Sequence, residues 1–249
     1  MLTRAIVKQI QQLKHKRYRD EHGLFCAEGV KSIHEGLKSN IQLIHCFVTD
    51  ESLIPSLNKA HGVLAERVSA SDMKKMSHFN TPSAVLAVFV KPKPKPLPEK
   101  EWIIALDDIQ DPGNMGTLMR TLDWFGFKHV LCSLHTVDCY NEKVVQSSMG
   151  SFARMNCVYE DLSVALKRLN RPIVGADLKG VSLEHFEVET KGVLVLGNEG
   201  HGISDQVASL LTQRITIPRA KGSEVESLNA AVSGAVIAYT ISSRLGFLR

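Results

Sequence analysis

No two cysteines in this chain stand at a metal-ribbon or redox spacing. The five, Cys26, Cys46, Cys132, Cys139 and Cys157, include no CxxC pair and are odd in number. That pattern argues against a disulfide framework and a zinc site, and it fits reduced thiols in a cytoplasmic protein with no bound metal. Long apolar runs are also missing. Nothing approaches the ~18 residues of a membrane span, and the basic N-terminus lacks the apolar segment of a secretory signal, so no membrane partner is expected. A large charge excess is absent too: the net charge of +4 is by itself weak evidence for nucleic acid. Its distribution says more, because the first 38 residues are rich in Lys, Arg and His. No internal repeat of fixed period is found. What remains is a chain of 249 residues, 44% hydrophobic, ordinary for a globular protein and long enough for one large or two modest domains.

Read in order, residues 3–18 carry Ile6, Ile10 and Leu13 at helical spacing, with Lys8, Lys14, Lys16 and Arg17 on the other faces. Arg19 to Gly29 reads as a turn and a short strand, and Val30 to Leu37 as a helix. An apolar strand is expected over Ile41–Val48, a helix over Leu53–His61 capped by Gly62, and a strand over Val63–Val68. A capped helix follows from Ser71 and a strong β run from Ala84 to Val90. These 90 residues form a small alternating α/β unit. Lys91-Pro92-Lys93-Pro94-Lys95-Pro96-Leu97-Pro98 then blocks both helix and ladder pairing. It reads as a solvated polyproline II spacer of roughly 25 Å at ~3.1 Å per residue, its lysines adding weak phosphate attraction. The expected division is 1–90, a linker at 91–98, and a second domain over 99–249. In the second domain, strands are expected at 102–106, 129–133, 172–176, 193–197 and 214–217. Helices are expected at 115–125, 141–151, 161–169, 204–211 and 227–243. The alternation implies an α/β fold on a mostly parallel sheet.

Three strand ends in that domain carry chemistry. Leu106-Asp107-Asp108 runs through Asp111-Pro112-Gly113-Asn114 into a helix bearing Met115, Leu118, Met119 and Leu122 on one face. Strand, glycine turn and helix present backbone N–H groups to a ligand. Arg120, six residues after Asn114, is expected on a roughly similar side and suggests an anionic substrate. The second end is Val193 to Leu196, then Gly197-Asn198-Glu199-Gly200-His201-Gly202, a carboxylate among three glycines that permit close backbone approach. The third is Ile215-Thr216-Ile217-Pro218, a polar loop, and Ser227-Leu228-Asn229 opening a helix of small residues, with Ser227 near its cap. Each alone is compatible with a plain turn. A dinucleotide-binding reading would need GxGxxG, and Gly113-Asn114-Met115-Gly116 has the wrong spacing. Trp124 reads as core or dimer contact, and His129, His135 and His201 as bland.

Taken in this order, the three motifs resemble the SpoU/TrmH-type RNA 2′-O-ribose methyltransferases of the SPOUT superfamily. Asn141-Glu142-Lys143-Val144-Val145 with Ser148-Met149-Gly150 adds to the likeness, and the first 90 residues resemble its substrate-binding domain at Arg19, Phe25, Glu28-Gly29 and Thr81-Pro82. Where the family often carries a basic residue, this chain has Gln146, and its Pro218–Ser227 loop looks longer than in many relatives. The resemblance implies a SPOUT domain with a trefoil knot and S-adenosylmethionine as methyl donor. Leu196, Gly197, Gly200, Ile217, Pro218 and Leu228 would bind the cofactor. Arg120, Asn114, Glu199, Ser227 and Asn229 would form the catalytic set, and Arg19, Lys31, Asn141 and Lys143 would touch RNA. It further implies a homodimer through the catalytic domain and a structured RNA substrate, ribosomal RNA first and transfer RNA second. A non-catalytic RNA-binding module on the same fold is the competing expectation.

Overall fold

A computed structural model describes residues 2–55, 57 and 64–248. The chain divides into two compact units, one of residues 1–93 and 138–154, the other of 94–137 and 155–249.

The first unit opens with the helix Arg4–Gln12, capped by Thr3, and a second helix, Lys16–His22, that ends on Gly23 in the left-handed region. The single helix expected over 3–18 is therefore broken. Its break is held by Arg19, which donates to the carbonyls of Leu13 and Lys14 at 2.9 Å each and so satisfies acceptors at a helix end. Strand β1 (Leu24–Glu28) leads into the helix Val30–Lys38. Then come β2 (Leu43–Val48), the short β3 (Glu66–Arg67), the helix Ala70–Met76, and β4 (Val85–Val90). The helix start lies at Ser69, whose hydroxyl accepts from the Asp72 amide. The helix expected over 53–61, its Gly62 cap and the start of the strand at Val63 fall largely outside the described residues. The sheet runs β1-β4-β2-β3, antiparallel except for β2 with β3. One face buries Ile10, Leu13, Phe47, Met73, Met76, Leu86 and Val88 as a single cluster.

Residues 138–154, expected in the second domain, are part of this first unit. Asp138 pairs with Arg19 at 2.7 Å, both side chains at most 5% exposed. Tyr140 and Phe152 pack against Phe25, one tilted and one edge-on, at centroid distances of 4.6 and 5.7 Å. The helix there is only Glu142–Ser147, because Met149 and Gly150 take positive φ (52° and 103°) and turn the chain.

The second unit is a six-stranded parallel sheet in the order β10-β8-β9-β5-β6-β7. The strands are β5 (Ile103–Asp107), β6 (His129–Cys132), β7 (Asn156–Tyr159), β8 (Ile173–Ser182), β9 (Val193–Gly197) and β10 (Gln213–Thr216). Strand β7 was not expected; Asn-Cys-Val-Tyr is short and has no alternation to mark it. The core on one face joins Ile103, Ala105, Leu131, Leu166, Val193 and Val195. Helices Pro112–Trp124 and Ala230–Arg244 meet where Gly234 faces Leu118 and Leu196; a Cβ there would come within 2.6 Å of Leu118. The stretch from Pro94 is not a free spacer. Asn156 pairs with the Lys95 backbone in both directions (2.8 and 2.9 Å), Arg171 donates to the Pro98 carbonyl at 2.8 Å, and Leu97 packs on the core. No helix among the described residues is long and apolar enough to cross a membrane.

Candidate active site

A cavity of about 560 Å³ lies at the carboxyl ends of β9 and β10 and against residues 176–178 of β8, where open parallel sheets bind ligands. Its glycine loop is shaped by Asn198. The Asn198 and Gly202 backbones exchange bonds of 2.9 and 3.0 Å, and the Asn198 side-chain oxygen accepts from Gly200 and His201 amides. Its amide nitrogen reaches the Asp108 carbonyl at 2.7 Å. The buried Asp107 carboxylate accepts from the Ser204 amide at 2.8 Å, which fastens the far end of the loop. Gly197 is fixed by contact: a Cβ there would lie 2.3 Å from the Gly202 carbonyl carbon. Asp108 has φ +62°, a strained state for a residue with a side chain, and His201 stands 3.6 Å from its carboxylate.

The opposite wall comes from β8, and sequence reasoning missed it. Opposite β10, register jumps from Arg214↔Gly175 to Ile215↔Val181, so residues 176–180 leave the ladder as a wide bulge. Ala176, Asp177 and Leu178 on that bulge line the cavity. Pairing resumes at Val181, just after Gly180, where a Cβ would meet the Arg214 carbonyl oxygen at 2.5 Å; only glycine allows that approach. Burial would raise the Asp177 pKa, but the Lys179 amide and the Arg214 guanidinium outweigh it and hold the carboxyl below its usual range.

Leu196, Gly197, Gly200, Ile217 and Leu228 line the cavity, with Glu199 and Ser227; Pro218 does not. Three other segments are tied together by side chains. Asn114 donates to the Glu199 carboxylate at 2.7 Å, and Asn229 donates to the Asn114 side-chain oxygen at 2.9 Å. Asn229 also caps the last helix by accepting from Ala231 and Val232 amides, so the cap is Asn229 and not Ser227. Asp111 caps the Pro112–Trp124 helix through the Asn114 amide at 2.7 Å. Two helix starts and the glycine loop thus converge on one chain of amide and carboxylate groups.

Arg120 is outside that chain. Six residues at about 100° each place it roughly 120° around the helix from Asn114, so the expectation of a shared side is corrected. It is exposed, as is Trp124 at 83%, which is therefore not core. Of the expected RNA contacts, Lys31 and Lys143 are exposed, and Asn141 caps the Glu142–Ser147 helix. Arg19 is 2% exposed and committed to Asp138 and two carbonyls. These bonds tie the first unit together; a buried partner 119 residues away was not readable from spacing.

The glycine loop after β9 and two helix starts, tied together by the Asn229–Asn114–Glu199 chain, stand beside one cavity of a size for a small ligand. The chain belongs to the SpoU rRNA methylase family, whose model matches residues 101–239, and residues 4–87 match an MRM3-like substrate-binding domain. It is 29% identical over 94% of both chains to the 23S rRNA (guanosine(2553)-2′-O)-methyltransferase RlmP of Bacillus subtilis. A TrmH-family protein from Porphyromonas gingivalis superposes at TM-score 0.88 with 34% identity, covering 98% of this chain and 99% of that one. An AdoMet-bound rRNA methyltransferase from Sinorhizobium meliloti superposes at 0.84 with 26% identity, covering 98% and 97%.

Proposed function

We propose that this protein transfers a methyl group from S-adenosylmethionine to a ribose 2′-hydroxyl of structured RNA, ribosomal RNA before transfer RNA, in the cytoplasm. The observation that carries the reading is the cavity at the three strand ends beside the Asn229–Asn114–Glu199 chain. Its lining suits a cationic donor: Asp177, Glu199 and Glu226 contribute carboxylates, and no Lys or Arg lines it among the described residues. When bound, S-adenosylmethionine supplies an electrophilic methyl on a sulfonium. The Gly197, Ile217 and Leu228 backbone would hold its adenosine end by rigid donors and acceptors. The same reading takes the segment after β9 as threaded into a trefoil knot.

A ribose hydroxyl is a weak nucleophile until its developing charge is stabilised. A guanidinium is a poor proton acceptor, so Arg120 acts by gripping the neighbouring phosphate and stabilising the negative charge that develops on the ribose oxygen as its proton passes to water. Asn114 fixes the Glu199 carboxylate and with it the substrate side of the pocket. If Arg120 grips in bidentate fashion, Arg120→Lys loses most activity; near-normal turnover would argue against it.

Trp124, one turn after Arg120 on its helix, and Val232, Val236 and Tyr239 on the last helix are apolar and 38–83% exposed. Such exposure favours a homodimer in which each Arg120 serves the partner's cavity. Sedimentation showing only monomer at micromolar concentration would count against it. The reading as a whole is tested by mapping 2′-O-methylation in ribosomal and transfer RNA from cells with and without the gene. One ribose site lost on deletion supports it; unchanged maps refute it. A non-catalytic module would instead leave the donor unbound in calorimetry.

A further inference from the structure

On the Lys16–His22 helix three rings follow one another along one face. His15, its N-cap residue, meets Tyr18 edge-on at 6.4 Å between centroids, and Tyr18 lies nearly parallel to His22, 13° apart at 6.3 Å. His15 and His22 are exposed and Tyr18 is half-buried. The Arg17 guanidinium stands 5.8 Å from the Tyr18 centroid. Aromatic rings left at the surface of a helix, rather than folded into the core, offer flat faces to something planar.

The charge around them is positive. The first 22 residues hold six Lys and Arg against two acids; Arg19 is buried against Asp138, and the other five cations are exposed. Of the two acids, Asp20 is already bonded by Lys16 at 2.9 Å and by Lys91, and those bonds outweigh burial to keep its carboxyl below the usual range. Lys8, Lys14 and Arg17 stand exposed. Cations beside exposed rings match an unpaired nucleic-acid strand, with phosphates on the lysines and bases on the rings.

We propose that His15, Tyr18 and His22 form a stacking ladder for unpaired bases of the RNA substrate. The proposal rests on the RNA reading above and adds where and how single-stranded RNA is held. The ladder recognises base faces and not base edges, so it tolerates any sequence and rejects a duplex whose bases are already stacked.

The test uses the full chain with a fluorescein-labelled adenosine dodecamer RNA and an abasic dodecamer of the same backbone. Anisotropy should show wild type binding the adenosine strand about tenfold tighter or more, since ring-to-base stacking has that order of effect. The His15→Ala/His22→Ala pair should lose that preference and keep its salt slope, because no permanent charge is removed. Tyr18→Leu keeps bulk in the half-buried position and should do the same, with thermal melting used to verify the fold. Variants that keep the wild-type preference would overturn the ladder while leaving the RNA reading intact. Tighter binding to a duplex than to the single strand would also overturn it. Wild type that binds neither these strands nor a ribosomal RNA fragment would remove the RNA reading itself.

Discussion

Gly197→Ala is the sharpest perturbation of the pocket. One methyl group would sit 2.3 Å from the Gly202 carbonyl carbon, 2.4 Å from the Ile203 nitrogen and 2.6 Å from the Gly202 oxygen. All three are backbone atoms, so no side-chain rotation relieves the clash. To reach the 3.4 Å at which ordinary contact begins, the loop must move about 1.1 Å. That movement pulls on the Asn198–Gly202 bridge, on the Asn198 bonds to Gly200 and His201, and on the Ser204–Asp107 bond. Forcing a methyl into a packed site costs about 1–3 kcal/mol. For a protein of this size that lowers the melting temperature by roughly 2–12 °C. The displaced loop is also one wall of the cavity, so S-adenosylmethionine binding should weaken at least tenfold. Calorimetric titration and thermal unfolding read the two effects. Unchanged affinity together with an unchanged melting temperature would refute the role given to this close approach.

Asn114→Ala removes a bond to a carboxylate, about 1.5–3 kcal/mol, and should slow methyl transfer about 10–100-fold. Asn114 does not itself line the cavity but holds Glu199, which does, so donor affinity in calorimetry should fall less than the rate; an equal fall in both would contradict a substrate-side role. Arg19→Ala leaves Asp138 buried without its partner and should cost about 3–5 kcal/mol by denaturant unfolding. A surface-like change below about 0.5 kcal/mol would contradict the structural role given to the pair. His78 gives the pH dependence. Burial pushes its pKa below 6.5, more strongly than the Ile10 carbonyl, Glu142 and Glu28 raise it. The unfolded chain therefore binds the proton more readily, and the contribution present above pH 6.5 is lost as pH falls through the depressed folded value. Melting temperature should drop on acidification from pH 6.5 down to that folded value, and His78→Gln should flatten the profile over that window; an identical slope in the variant would contradict it.

Local pattern revealed the strand ends and little of what binds them. Leu196-Gly197 and Ile217 announce themselves because an apolar run stops at a glycine or a proline. Asn229 as a cap is hidden behind Ser227, which fits the same pattern two residues early. The Asn114–Asn229 bond spans 115 positions and the Arg19–Asp138 pair 119, and no periodicity encodes such pairings. Residues 138–154 look like a stretch of the second domain because they sit between its strands; only the packing of Tyr140 and Phe152 on Phe25 assigns them to the first unit. The β8 bulge escaped because Ala-Asp-Leu-Lys-Gly continues the strand without a turn signal.

The central claim is chemical, and one measurement meets it directly. Purified protein is incubated with ribosomal RNA and S-adenosylmethionine carrying a tritiated methyl, and the RNA is then digested and its nucleosides separated. The account predicts label in a single 2′-O-methylnucleoside. Label on a base, or none in RNA while the donor binds, would contradict it.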